Sequence, residues 1–184
     1  MIPTLPLGLR NRLANVIVEA LGDAQARQRL QALADAPGSW LPAAEGHLAS
    51  RVAARARQAS DALSGRPLMA PERGLGEALE AAATLFEAGL PFEVHEVLEP
   101  HWANAAGNER EVLQGLIQLA VAYQHLANGN RAGARSLLLE AAHRLRGRTL
   151  LGVDLESLAC RTGEAAAAVA AGRTPAAPAF PRPR

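Results

Sequence analysis

Aromatic side chains are scarce in this sequence. Phe, Trp and Tyr make up only 3% of the residues, against an apolar fraction of 49%. The core must therefore be assembled from Ala, Leu and Val, which interdigitate without large rings. Lysine is absent: all 19 basic residues are Arg, set against 18 acids, and the formal net charge is +1. Such a balance supplies no global field for nucleic acid or a membrane surface, and neither is expected as a partner. Cysteine occurs once, at Cys160, which excludes a disulfide framework and a thiolate metal site. Beside Leu158 and Ala159 it reads as a small buried hydrophobe. No apolar run approaches the roughly 20 residues that span a bilayer. Pro3, Pro6 and Gly8 stand where a signal peptide would need an apolar helix. A cytoplasmic protein is the expectation.

What is present reads as helix almost throughout. Leu9, Leu13, Val16, Ile17, Ala20 and Leu21 recur at helical spacing. Asp23 is placed to cap a second helix, Pro37-Gly38-Ser39 breaks it, and a third runs from about Pro42 to Leu63. The stretch from Gly65-Arg66-Pro67 to Gly74 is a linker by its Gly and Pro content. Residues 75–88 carry Leu75, Leu79, Ala82, Ala83 and Phe86 on one helical face. Gly89-Leu90-Pro91 is a tight joint, with Gly suited to the end of one helix and Pro to the first turn of the next. That next helix, 91–104, contains Pro100, which is expected to kink it or end it nearby. A helix over 109–127 ends at Asn128-Gly129, Asn130 caps another to about Arg146, and Asp154 caps a last one through Ala171. Residues 173–184 are Pro-rich and expected to form a disordered tail.

The fold class is thus all-α: a compact helical bundle of stacked helical hairpins over 75–172. A linker over 65–74 and an N-terminal helical extension over 1–64 precede it. A weak echo between Phe86–Pro91 and Leu126–Arg131, both helix–Gly–helix joints, fits two stacked hairpins. Charge is uneven. Residues 1–74 hold nine Arg and six acids, whereas residues 75–147 hold nine acids and five Arg. The second segment suits a cation or a basic partner, unless its acids only solvate a helix surface.

The chemistry concentrates in Phe92-Glu93-Val94-His95-Glu96-Val97-Leu98-Glu99-Pro100-His101-Trp102, which packs three carboxylates, two histidines, a Phe and a Trp into eleven residues. At about 100° per residue, His95 and Glu99 lie one turn apart on one edge. Phe92 and Trp102 flank them, and Glu96 lies further round on the same side. Val94, Val97 and Leu98 form the adjoining core face. A His and a carboxylate at i, i+4 can grip one divalent cation. Equally, Glu99 can accept a hydrogen bond from His95 and fix its tautomer. The helix over 109–127 is apolar nearly all round and should be central. Gln114, Gln118 and His125 fall within about 40° of each other on it, and the motif of the preceding helix is their nearest candidate partner. Gly115 would let a neighbouring helix approach closely.

One reading makes His95, Glu99 and His125 the ligands of a divalent metal. Glu96 is then the candidate catalytic base for a bound water, and Phe92, Trp102, Gln114 and Gln118 are binding residues. Another uses the same side chains, without any ligand, as a buried polar network that sets helix register in a non-catalytic interaction or dimerisation module. A homodimer interface is open under either. His-x-x-x-Glu is neither the His-Glu-x-x-His zinc motif nor the Glu-x-x-His di-iron motif. A P-loop, a dinucleotide fingerprint and a serine nucleophile elbow are all missing.

The run Phe92-Glu93-x-His95-Glu96-Val97-Leu98-Glu99-x-x-Trp102 is followed by Gln114-Gly115-Leu116-Ile117-Gln118-Leu119-Ala120-Val121-Ala122-Tyr123-x-His125-Leu126 and by Gly129-Asn130-x-x-Gly133-Ala134. With the later Gly152-Val153-Asp154-Leu155, this order strongly resembles the domain-of-unknown-function family 309. The likeness covers about residues 77–160. It implies a compact all-α fold, and such proteins carry the label of predicted metal-dependent hydrolases. By that resemblance His95, Glu96, Glu99, Trp102, Gln114, Gln118 and His125 are the signature positions of this chain. Residues 1–74 lie outside it, and Pro100 is an unusual residue within the motif helix.

Overall fold

The computed structural model describes residues 5–70 and 74–183. Pro3, residues 71–73 of the expected linker and Arg184 of the expected tail lie outside them. The chain is all-α and divides into two compact units, Met1–Arg73 and Gly74–Arg184. Among the described residues no helix is long and apolar enough to cross a membrane.

The first unit holds α1 (Leu7–Glu19), α2 (Ala24–Asp35) and α3 (Ala49–Leu63). Asp23 caps α2 as its position implied, its Oδ1 accepting from the Gln25 N–H at 2.6 Å and the Ala26 N–H at 3.3 Å. The third helix starts later than Pro42. Residues Pro37–Trp40 and Ala43–Leu48 form 3-10 turns, because no side chain caps an α-helix there and Gly46 is a poor helix former. Leu9, Leu13, Ile17, Leu30 and Val52 fill the core. The first part of the expected linker is tied down. The Arg27 guanidinium donates to the carbonyls of Ala20, Arg66 and Pro67, and the Met69 N–H donates to Leu21 O at 2.9 Å.

The second unit contains α4 (Leu75–Glu87), α5 (Pro91–Asn104), α6 (Gly107–Ala127), α7 (Arg131–Leu145), a hairpin of β1 (Thr149–Leu150) and β2 (Val153–Asp154), and α8 (Glu156–Ala170). Each helix packs on the next in sequence, as short joints require. Gly89 turns the chain at φ 71° and Pro91 opens α5. Asn130 caps α7, its Oδ1 accepting from the Gly133 N–H at 2.9 Å. Asp154 does not cap α8: it closes β2, the N-cap position falls on Leu155, and Asp154 Oδ1 accepts from the Glu156 N–H at 2.9 Å from one residue further back. That hairpin has no counterpart in the helical reading. α5 continues one turn beyond Pro100, and Asn104 Nδ2 donates to Pro100 O at 2.8 Å. Proline has no N–H to give, so the carbonyl of Glu96 loses its usual helical donor.

α6 is central, with Leu113, Leu116, Leu119 and Ala120 fully buried. It meets α7 at Gly115. A Cβ placed there would lie 3.0 Å from Leu145 Cγ and 3.2 Å from Arg144 Cβ. Gly115→Val is therefore expected to cost about 1–3 kcal/mol by overpacking, read as a lower urea midpoint with an unchanged slope.

The C-terminal segment corrects the expectation of a disordered tail over 173–184. Residues 173–183 belong to the second unit and dock on its helices through Pro178 and Phe180, which are buried. Phe180 is 3% exposed, its ring 5.1 Å from that of Phe86, which meets Tyr123 edge-on at 5.4 Å. Tyr123 Oη donates to Ala176 O at 2.7 Å. Arg182 forks onto Glu80 and Glu87. Burial works against that guanidinium's charge, but its bonds to Glu87 and Glu80 prevail and raise its pKa above the ordinary value. Two anchoring side chains and a bound tyrosine hydroxyl outweigh the composition that argued for disorder.

Burial also pushes the Tyr123 phenol up to about 12. An unfolded tyrosine ionises near pH 10. Between those values the unfolded chain loses a proton that the folded chain keeps. The stability from this group is thus complete below about pH 10 and drains away as pH rises toward 12. Tyr123 is the sole tyrosine, so tyrosinate absorbance should show one transition displaced well above pH 10. A midpoint at 10 in folded protein would contradict the burial.

Candidate metal site

α5 builds the site from its own first turns. Pro91 starts the helix, Val94, Val97 and Leu98 bury one face, and the opposite edge carries His95, Glu96 and Glu99. Among the described residues these three each offer one ligand atom, and those atoms all lie within 4.8 Å of one another. His95 Nδ1 is 3.0 Å from Glu96 Oε1, and His95 Nε2 is 3.9 Å from Glu99 Oε2. The side chains of His95 and Glu96 are 29% and 31% exposed, and that of Glu99 is 52% exposed. The Phe92 ring stacks near the imidazole, with centroids 6.3 Å apart and planes 29° off parallel.

An imidazole and two carboxylates form a donor set that suits zinc or manganese. Metal bonds of about 2.0–2.2 Å to N and O allow two donors to stand at most about 4.4 Å apart. The His95 Nε2–Glu99 Oε2 separation of 3.9 Å falls within that reach. On the other side of the ring, Glu96 can accept the Nδ1–H. A carboxylate in that place fixes the tautomer and leaves the Nε2 lone pair directed outward. With Glu96 on Nδ1, His95 Nε2 and Glu99 remain as the two donors that could share a divalent cation.

The other sequence-derived candidates are placed differently. His125 does not join the group. Its Nδ1 receives Asn130 Nδ2 at 2.8 Å, and its carbonyl accepts the Asn130 N–H at 2.9 Å. It staples the α6–α7 turn, because at the end of α6 the turn residues are closer to it than the motif is. Gln118 Nε2 donates at 2.8 Å to Glu140 Oε2 on α7, whose Oε1 accepts from Ser136. Gln118 thus faces α7 and not the motif on α5, and its Oε1 is buried without a hydrogen-bond partner. Gln114 is half-buried on α6. Trp102 closes the α5–α6 corner: the Arg110 guanidinium lies 4.2 Å over its ring and donates to its carbonyl at 2.9 Å. Cys160 is exposed, not buried.

Two residues escaped the sequence reading. Glu140 gave no signal, since nothing told which neighbour Gln118 would face. Glu93 is fully buried. Its spacing, three residues after Leu90 and four before Val97, places it in the apolar stripe, and a carboxylate there must be engaged by a partner.

No curated protein and no solved structure matches the chain. Residues 79–137, from α4 into α7, match the model of a family described as a domain of unknown function, DUF309. The match contains the whole of α5 and α6 and stops before Gly152-Val153-Asp154-Leu155. Over residues 79–137, which include the helix α5 that carries His95, Glu96 and Glu99, this chain resembles DUF309.

Proposed function

We propose that α5 carries a divalent-metal site and that the protein uses it in hydrolytic chemistry. The carrying observation is the local cluster: one imidazole with a carboxylate at each ring nitrogen, on a single rigid helix. His95 through Nε2 and Glu99 would hold the cation. Glu96 holds the Nδ1–H and orients the ring, and Phe92 limits its rotation. A cation in this place supplies Lewis acidity that polarises a carbonyl or phosphoryl oxygen. The base role suggested for Glu96 requires it to leave His95, so Glu96 is first a positioning residue. Hydrolysis as the reaction class comes from the resemblance.

The non-catalytic alternative gains one specific observation. Polar contacts between helices do exist in this unit, at Gln118–Glu140 and Glu111–Arg144 between α6 and α7. They can set the register of those two helices. The contacts of His95 with Glu96 and Glu99 stay on α5 and tie no helix to another, which favours a ligand for them over a register role.

The test is calorimetric titration of zinc and manganese into untagged, chelator-treated protein. Stoichiometric binding is expected, weakened at least tenfold by Glu99→Gln and unaffected by Gln118→Ala. Equal affinity in wild type and Glu99→Gln would remove the site from α5.

A further inference from the structure

We propose that the surface holding residues 174–183 is a peptide-recognition seat, and that its partner in trans is the same segment of a second copy of this chain. This is independent of the metal reading. The segment is bound as a peptide ligand would be. It forms no helix or strand, and Pro175, Pro178, Pro181 and Pro183 pre-extend it, so little backbone entropy is lost on docking. Recognition is by side chains. Phe180 is the apolar anchor against Phe86. Arg182 is read by two carboxylates, Glu80 and Glu87, at positions set by one helix. Tyr123 donates to the backbone at Ala176. The seat therefore selects an extended aromatic–Pro–Arg sequence.

None of these contacts depends on the short covalent link from α8. The groups that bind Phe180 and Arg182 come from α4, and the hydroxyl that binds Ala176 comes from α6, far away in the sequence, so the same segment from another chain presents the same atoms. The link is held at its start, where Arg131 donates to the carbonyls of Val169 and Arg173, so an exchange would hinge beyond Arg173. Between α8 and residues 173–178 an open groove of about 740 Å³ is lined by Ser157, Arg161, Glu164 and Pro175. Every chain carries both seat and segment, so a reciprocal exchange closes as a two-fold dimer.

Two complementary full-length chains test this. Phe180→Ala/Arg182→Ala keeps the seat and breaks the segment, whereas Glu80→Arg/Glu87→Arg keeps the segment and breaks the seat. Light scattering should show each alone as a monomer and an equimolar mixture as a 1:1 dimer that dissociates in high salt. A labelled peptide of residues 173–184 should also bind the segment-broken chain saturably, at least tenfold more tightly than a peptide with Arg182→Glu. If the double variant loses its helical signal, the single Phe180→Ala chain takes its place. No saturable peptide binding by the folded chain overturns the seat. Peptide binding without a mixed dimer overturns the second copy as partner.

Discussion

His95→Ala is expected to lower zinc and manganese affinity at least a hundredfold while leaving the fold intact. A hundredfold loss corresponds to about 2.8 kcal/mol of binding free energy. The imidazole is the one nitrogen donor of the cluster, and both carboxylates are arranged around it. Without it two half-exposed glutamates remain, and they compete poorly with water for the cation. The fold should not notice. His95 is partly exposed, contacts its own helix, and bridges no neighbour through its two nitrogens, so the expected stability change in metal-free buffer is within about 0.5 kcal/mol. Melts in chelator and calorimetry on the same preparation separate the two effects. A variant that binds metal like wild type contradicts the site. A large loss of melting temperature in chelator would make the cluster structural.

Phe180→Ala is expected to release the C-terminal segment. Truncating a buried Phe typically costs about 3–5 kcal/mol. Here the segment can detach without unfolding the helices, so the loss falls mainly on the closed state of residues 173–183. A loss of that size exceeds what Arg182, half exposed at the surface, would restore through its ion pairs. Release uncovers Tyr123, whose burial raised its phenol to about 12. Tyrosinate absorbance should move back toward pH 10. An unchanged Tyr123 titration would show that Phe180 does not hold the segment.

Local rules made much of this molecule legible. Asp23 and Asn130 cap where their chemistry directs, and Gly89-Leu90-Pro91 turns the chain as its residues require. The His95–Glu96–Glu99 group was readable because all three share one helix, where residue spacing fixes geometry. Its expected partners were not, because a helical angle does not say which neighbour a side chain faces. Gln118 could have met α5 or α7 and met α7. His125 was claimed by Asn130 in the adjoining turn. The tail misled for another reason. Composition averages over residues, but docking depends on single anchors, and one Phe with one Arg sufficed. Cys160 was misjudged from its neighbours: Leu158 and Ala159 are buried, but one further step of about 100° turns it to solvent.

The most direct test is an anomalous-scattering experiment on crystals equilibrated with manganese or zinc. A cation between His95 Nε2 and Glu99, with Glu96 still on Nδ1, is the predicted result. No peak at saturating metal, or a peak elsewhere with this cluster empty, would contradict a metal site on α5.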